Sequence, residues 1–383
     1  MKSVGIIDNG GKSRAFLSRT LDTENSTSGA IDPTLTSLGL ADGEDACGLP
    51  SGSDSFFPGF GRRARYWGIS SALLFVFILA GLSLINDGDQ VYSRILQLSP
   101  EILSVILSLS ILNYSARYLR WYLFSRKIKL EVPFLVNGLY FFAGFSMAIT
   151  PGKMGEVLRL WLLRRSHQIS YERTVGLLVA DRLSDAGALL LISATGAFAF
   201  APGLGQIISV AAVGVVITGM TLVFLRPRGL IKLTDWLYGR VRRWPRQFAR
   251  VRRVLRQMSQ LGSISIYGGT FMMAVLGWFA EAYALHLLVT AFGGSQSVME
   301  IMFVFGSALL VGVVAMLPGG LGGTEISMVG LLTATGLDLE SAIAATTIIR
   351  LTTLWFSVFL GMLSLPAALW VAGRSVSGRP ALA

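Results

Sequence analysis

The sequence predicts an all-α, polytopic integral membrane helix bundle, built as an inverted repeat with two re-entrant hairpins. Three observations carry that expectation. The 383 residues are 52% hydrophobic and only 14% charged, where soluble domains carry about 25% charged residues. Apolar stretches of roughly 20 residues, enough to cross a bilayer, recur along the chain. The same order of stretches, breaks and buried charges occurs twice.

A composition this apolar excludes a soluble enzyme. The formal net charge of +11 is unevenly spread: residues 1–60 hold eight acids and four bases, leaving fourteen acids against twenty-nine bases beyond them. That excess points to anionic lipid headgroups rather than nucleic acid. Cys47 stands alone, so an intramolecular disulfide framework and a Cys/His metal set are excluded. Residues 1–60, rich in Gly, Ser, Thr and Asp, predict a disordered cytosolic tail or residues upstream of a later start. Gly10-Gly11-Lys12-Ser13 imitates a phosphate loop, but Gly5 is one position out of register and no strand–loop–helix unit surrounds it. Residues 61–374 form the expected transmembrane domain and 375–383 a short tail.

Six full crossings are predicted: Tyr66–Ile85, Glu101–Phe124, Glu172–Ala201, Gln206–Leu225, Ile264–Phe292 and Ala342–Ala372. Pro133–Ile149 and Met299–Leu317 are also apolar, but each runs into a Pro-Gly break at Pro151 or Pro318. The limbs that follow, about 153–163 and 324–335, are too short to cross at about 1.5 Å per residue. Both stretches therefore read as re-entrant hairpins. With the Arg/Lys-rich segment 226–262 inside, this count leaves only Arg94 in the outer loops, as the positive-inside rule requires. Both termini fall in the cytoplasm of a bacterial inner membrane. Within 226–262, Phe248, Val251, Leu255 and Met258 share a helix face after Pro245. This predicts an amphipathic helix meeting anionic inner-leaflet lipids through Arg246, Arg250 and Arg253, or a simple topology anchor.

A span, a hairpin ending Pro-Gly-x-x-Gly, and a long span with a buried arginine appear at 101–201 and again at 264–372. Pro151 lies 31 residues before Arg182, and Pro318 lies 32 before Arg350. An odd number of crossings separates the hairpins, so they enter from opposite sides, the arrangement of alternating-access transporters.

Arg117-Tyr118-Leu119-Arg120-Trp121, the run Thr150-Pro151-Gly152-Lys153-Met154-Gly155-Glu156-Val157-Leu158-Arg159, and Asp181-Arg182-Leu183-Ser184-Asp185 resemble the transmembrane domain of lysylphosphatidylglycerol synthases. So do Leu317-Pro318-Gly319-Gly320-Leu321-Gly322 and Arg350-Leu351-Thr352-Thr353-Leu354-Trp355. The resemblance covers about residues 100–370. It implies a flippase-like family that includes the lipid-translocating half of multiple peptide resistance factors. Related members accompany hopanoid synthesis or follow an archaeal dolichol-linked sugar transferase. Without the synthases' aminoacyltransferase domain, a stand-alone member is implied and lipid synthesis is not.

An arginine inside a span is expensive and normally has a partner or a ligand. Glu156 is the expected partner of Arg182, and by the repeat Glu325 is that of Arg350. These residues either pin hairpins to the bundle or bind a lipid phosphate through the arginine forks. Broken-helix tips add backbone N–H groups, a natural anion site. The candidate headgroup site comprises Pro151, Gly152, Lys153, Gly155, Glu156, Arg159 and Arg182, with Pro318, Gly319, Gly322, Glu325 and Arg350 in the second half. Lys153 has no counterpart at Gly320, so the half-sites should be unequal. Asp181, Asp185 and Glu281 are candidate coupling carboxylates. His286 reads as a hydrogen-bonded core histidine and His167 as solvated. No catalytic residue, metal or cofactor is expected. The predicted function is translocation of an anionic phospholipid or a polyprenyl-phosphate-linked lipid between leaflets. The alternatives are a membrane-embedded transferase and an accessory subunit of a lipid-modifying enzyme.

Overall fold

The computed structural model describes residue 93 and residues 95–150, 154–197, 211–212, 214–221, 228–241, 245–261, 264–315 and 318–376. The expected span Tyr66–Ile85, most of Gln206–Leu225, the tail 1–60 with Gly10–Ser13, and Pro151, Gly152 and Lys153 lie outside the described residues. Within the described residues there is no strand. The chain is an all-α membrane helix bundle.

Helix α1, Pro100–Lys127, shows why these elements form where they do. The Ser99 hydroxyl accepts from the Ile102 N–H at 3.4 Å, Pro100 opens the first turn, and Glu101 complements its dipole. Arg126 and Lys127 sit in the last turn. Twenty-eight residues span about 42 Å, more than the roughly 30 Å hydrocarbon layer. Leu103, Val105, Ile111, Leu112, Leu119 and Leu123 point away from the protein, while Tyr114, Tyr118, Trp121 and Phe124 are buried. A helix apolar on both faces suits lipid on one side and protein on the other.

Two short helices follow, α2 (Phe134–Ala143) and α3 (Met154–His167), joined through a 3-10 turn at Gly144–Met147. Helix α3 runs four residues past the predicted limit of 163 and ends at His167. The extra turn is held by ring contacts: Tyr140 packs on His167 with centres 6.2 Å apart, and the Arg164 guanidinium lies 4.9 Å from the Tyr171 ring centre. Helix α4, Tyr171–Ala197, is as long as a span but carries Glu172, Arg173, Asp181, Arg182 and Asp185. The basic segment holds two helices rather than one: α5 (Arg228–Val241), which sequence reasoning missed, and α6 (Pro245–Leu261). Tyr238 packs on Phe248 with ring centres 5.5 Å apart, and Leu255 is buried.

Helix α7 is Ile264–Ala291 and α8 is Val298–Val314, begun by a capping box between Ser297 and Glu300. A Pro-Gly-Gly turn at Pro318–Gly320 leads to α9, Gly323–Ala334. Helix α10 (Leu339–Arg350) passes through a π-helical turn, Leu351–Trp355, into α11 (Phe356–Val376). Among the described residues, Pro100–Lys127, Ser265–Ala291 and Leu339–Arg374 are long and apolar enough to cross a membrane. The core joins α7, α8, α9 and α10 through Leu285, Leu288, Phe305, Met328, Ile343 and Ile348.

Backbone crosses backbone closely beside α3. A Cβ on Gly155 would overlap the Gly144 carbonyl oxygen, and one on Gly361 would overlap the Ser146 amide. Gly155→Val is therefore expected to destabilise by at least about 1–3 kcal/mol. The measurement is the thermal midpoint of the purified protein, with Gly330→Val, where nothing crowds the site, as the tolerated comparison.

Candidate functional site

Three helices bring seven charged side chains together. Helix α1 presents Arg117 and Arg120, spaced i, i+3 on one face, and α4 presents Asp181 and Asp185, spaced i, i+4. Arg120 is 0% exposed. Its Nε donates to Asp181 Oδ1 at 2.7 Å and its Nη2 to Asp185 Oδ1 at 2.7 Å. One buried fork thus pairs with two buried carboxylates, which offsets part of the cost of burying such charges. Sequence reasoning placed Arg120 in a span but missed this role. The matching of an i, i+3 arginine pair to an i, i+4 aspartate pair was the signal available.

Arg182 closes the other side of the carboxylates. Its Nη2 donates to Asp181 Oδ2 at 2.5 Å, and its Nη1 lies 3.1 Å from Asp185 Oδ2. Glu156 on α3 is farther, with Oε1 3.4 Å from Nε and no hydrogen bond. The expected order of partners is thus reversed, because the side chain folds back along its own helix towards the more deeply buried acids. At 28% exposure the Arg182 side chain remains reachable. Arg117 sits 3.6 Å from Asp185, between the rings of Phe145 and Trp278, and the Trp278 indole donates to Asp185 at 3.1 Å.

Arg159 on α3 is 3% exposed and makes no ion pair among the described residues. Its guanidinium lies 4.0 Å from the Phe141 ring centre and 4.5 Å from that of Trp121, a cation–π sandwich. Its Nε and Nη1 have no hydrogen-bond partner among the described residues. Asp181 and Glu156 lie within its electrostatic reach.

The second half is built differently. Arg350 Nε is 2.6 Å from Glu325 Oε1, the pair the repeat predicted, and Nη2 donates to the Gly319 carbonyl at 2.9 Å. Glu325 is 0% exposed, and its Oε2 accepts from the Gly322 N–H at 2.6 Å. The expected free N–H at this tip is therefore already taken by the protein's own carboxylate. Gly319, Gly320 and Gly322 have φ of 62°, 72° and 88°, a conformation that costs other residues about 1–2 kcal/mol each. A Cβ on Gly319 would sit 3.2 Å from Ile149 Cγ2, so this tip touches the end of the segment leading to Pro151.

Glu281 on α7 is 5% exposed, and its Oε1 accepts from the Asn113 amide. It is not brought together with His286, which lies beside Tyr283 at 5.9 Å. His286 is half-buried and its Nδ1 has no partner among the described residues, which corrects the expectation of a hydrogen-bonded histidine. His167 is half-buried too, not solvated: Ser166 Oγ is 2.7 Å away and Tyr140 packs edge-on. In the basic segment, Arg253 pairs with Glu172 at 2.8 Å and Arg252 with Asp235 at 3.4 Å. The side chains of Arg246 and Arg250 lie outside the described residues.

Long apolar helices that hold an internal arginine–carboxylate network define an all-α integral membrane protein. The chain belongs to the family described as the lysylphosphatidylglycerol synthase TM region, which it matches over residues 68–361. It is similar to a UPF0104 membrane protein of Methanothermobacter thermautotrophicus, 25% identical over 320 residues, covering 76% of this chain and 92% of the relative. A UPF0104 membrane protein of Pyrococcus horikoshii is 23% identical over 277 residues, covering 63% of this chain and 79% of the relative.

Proposed function

We propose that this protein translocates an anionic phospholipid or a polyprenyl-phosphate-linked lipid between leaflets, without chemistry of its own. The observation that carries this reading is Arg182. It is the most exposed arginine of the network, and a planar fork is suited to bidentate phosphate binding. Glu156, Arg159 and the segment Pro151–Gly155 complete this half-site. Gly319, Gly322, Glu325 and Arg350 form the weaker one, since Glu325 already neutralises Arg350. In this reading the two broken segments are re-entrant hairpins of an inverted repeat, and the domain spans 61–374. The protein resides in a bacterial inner membrane with both termini cytoplasmic. Arg246, Arg250 and Arg253 meet anionic inner-leaflet lipids, and a lipid-modifying enzyme is a candidate partner.

The test is movement of fluorescent phosphatidylglycerol between leaflets of liposomes holding the full chain. Movement no faster than in protein-free liposomes overturns the reading, and formation of a modified lipid favours a transferase. Orientation has its own test. After Cys47 is replaced, single cysteines at positions 168 and 250 are expected to resist an impermeant thiol reagent added outside cells. Labelling of either overturns the topology.

A further inference from the structure

Resting on the lipid reading above, we propose that Glu281 takes up one proton when an anionic headgroup binds the arginine cluster, so that lipid and proton are carried together. Glu281 is buried in a spanning helix with the Asn113 amide as its hydrogen-bond partner. Among the described residues no cation lies within ion-pair distance of it. Among the described residues, the groups facing it come from α1, α4 and α10. Helix α1 presents Asn113, Tyr114 and Arg117, α4 presents Asp185, and α10 presents Arg350. The sole titratable group of α8, Glu300, caps its own helix through Ser297. Both cations in reach already have closer acids: Arg117 has Asp185 at 3.6 Å, and Arg350 has Glu325 at 2.6 Å.

Charge balance links this acid to the site. Arg117, Arg120, Arg159 and Arg182 face Glu156, Asp181 and Asp185, which leaves Arg159 without a matching carboxylate. Ionised Glu281 brings the set to neutrality without touching Arg159. A phosphate monoanion docking on Arg182 would then leave one negative charge in excess, which a low-dielectric interior disfavours. Neutrality returns when a proton from water bonds to a Glu281 carboxylate oxygen. No other bond forms or breaks, and the proton leaves when the headgroup does. Asp181 and Asp185 cannot serve as readily, because each is gripped by arginines at 2.5–3.1 Å. Protonating either would break those pairs.

The experiment is calorimetric titration of the detergent-purified full chain with dioctanoyl phosphatidylglycerol, in buffers of different ionisation enthalpy. The expected result is uptake of about one proton per bound lipid, with affinity falling up to about tenfold per pH unit above the Glu281 titration. Glu281→Gln is expected to bind with no proton uptake and no such slope. Lipid binding by the unaltered protein without proton uptake overturns the proposal and leaves the lipid reading standing. Uptake that persists in Glu281→Gln overturns the assignment to this residue. Absence of lipid binding overturns the underlying reading, and this proposal with it. The unaltered protein supplies the first and last outcomes, so they do not depend on the variant folding.

Discussion

Arg120→Leu is expected to destabilise the protein by about 3–5 kcal/mol, the usual cost of leaving a buried charge without its partner. Two carboxylates lose their most deeply buried partner at once, since Arg120 donates to both Asp181 and Asp185. The measurement is the thermal midpoint in lipid nanodiscs, beside Arg120→Lys, which keeps the charge but not the fork. Adding Asp181→Asn to the leucine variant should recover part of the loss, because the residual cost lies in the unpaired acid. A leucine variant that melts with the unaltered protein would mean that Arg182 and Arg117 suffice to hold both carboxylates.

The second large effect concerns function. Arg182→Lys is expected to slow phosphatidylglycerol translocation by about ten- to a hundredfold per folded molecule. This corresponds to one lost charge-assisted hydrogen bond of about 1.5–3 kcal/mol. Stability should change less than in the Arg120 variant, because Arg182 is partly exposed and Arg120 still holds both aspartates. Arg350→Lys should show the opposite pattern. That side chain is enclosed by Glu325 and the Gly319 carbonyl, so folding suffers more than transport per folded molecule. Wild-type rates in Arg182→Lys would exclude bidentate headgroup contact there.

Spans such as Glu101–Phe124 and Ile264–Phe292 were legible because lipid imposes a length and an apolar composition that no neighbouring residue can override. Glu325–Arg350 was legible because a buried arginine needs a partner and the repeat named it. Helix α5 was missed: alternation of basic and apolar residues in 228–241 resembles a solvated loop until Tyr238 is seen against Phe248. The reversed preference of Arg182 was hidden for a different reason. Helical spacing places Cβ atoms, whereas a five-bond arginine stem decides where the guanidinium ends. The sandwich of Arg159 between Trp121 and Phe141 depends on three separate elements meeting, and no local pattern encodes that.

The π-helical turn at Leu351–Trp355 bears on how this chain can vary in length. Its wider winding is capped by the Tyr114 hydroxyl, which donates to the Thr353 carbonyl. Deleting one residue there lets the turn relax to α geometry, and because a π turn winds about one extra residue into the same rotation, the helix downstream keeps its facing. A deletion in the regular α turn 356–360 would instead rotate Gly361 away from the Ser146 amide by about 100°, driving a residue with a side chain against that backbone. A single-residue deletion within 351–355 is thus a milder insult than one within 356–360. Length changes among relatives should gather at this turn and in connections such as 293–297, where the register of a helix is not at stake.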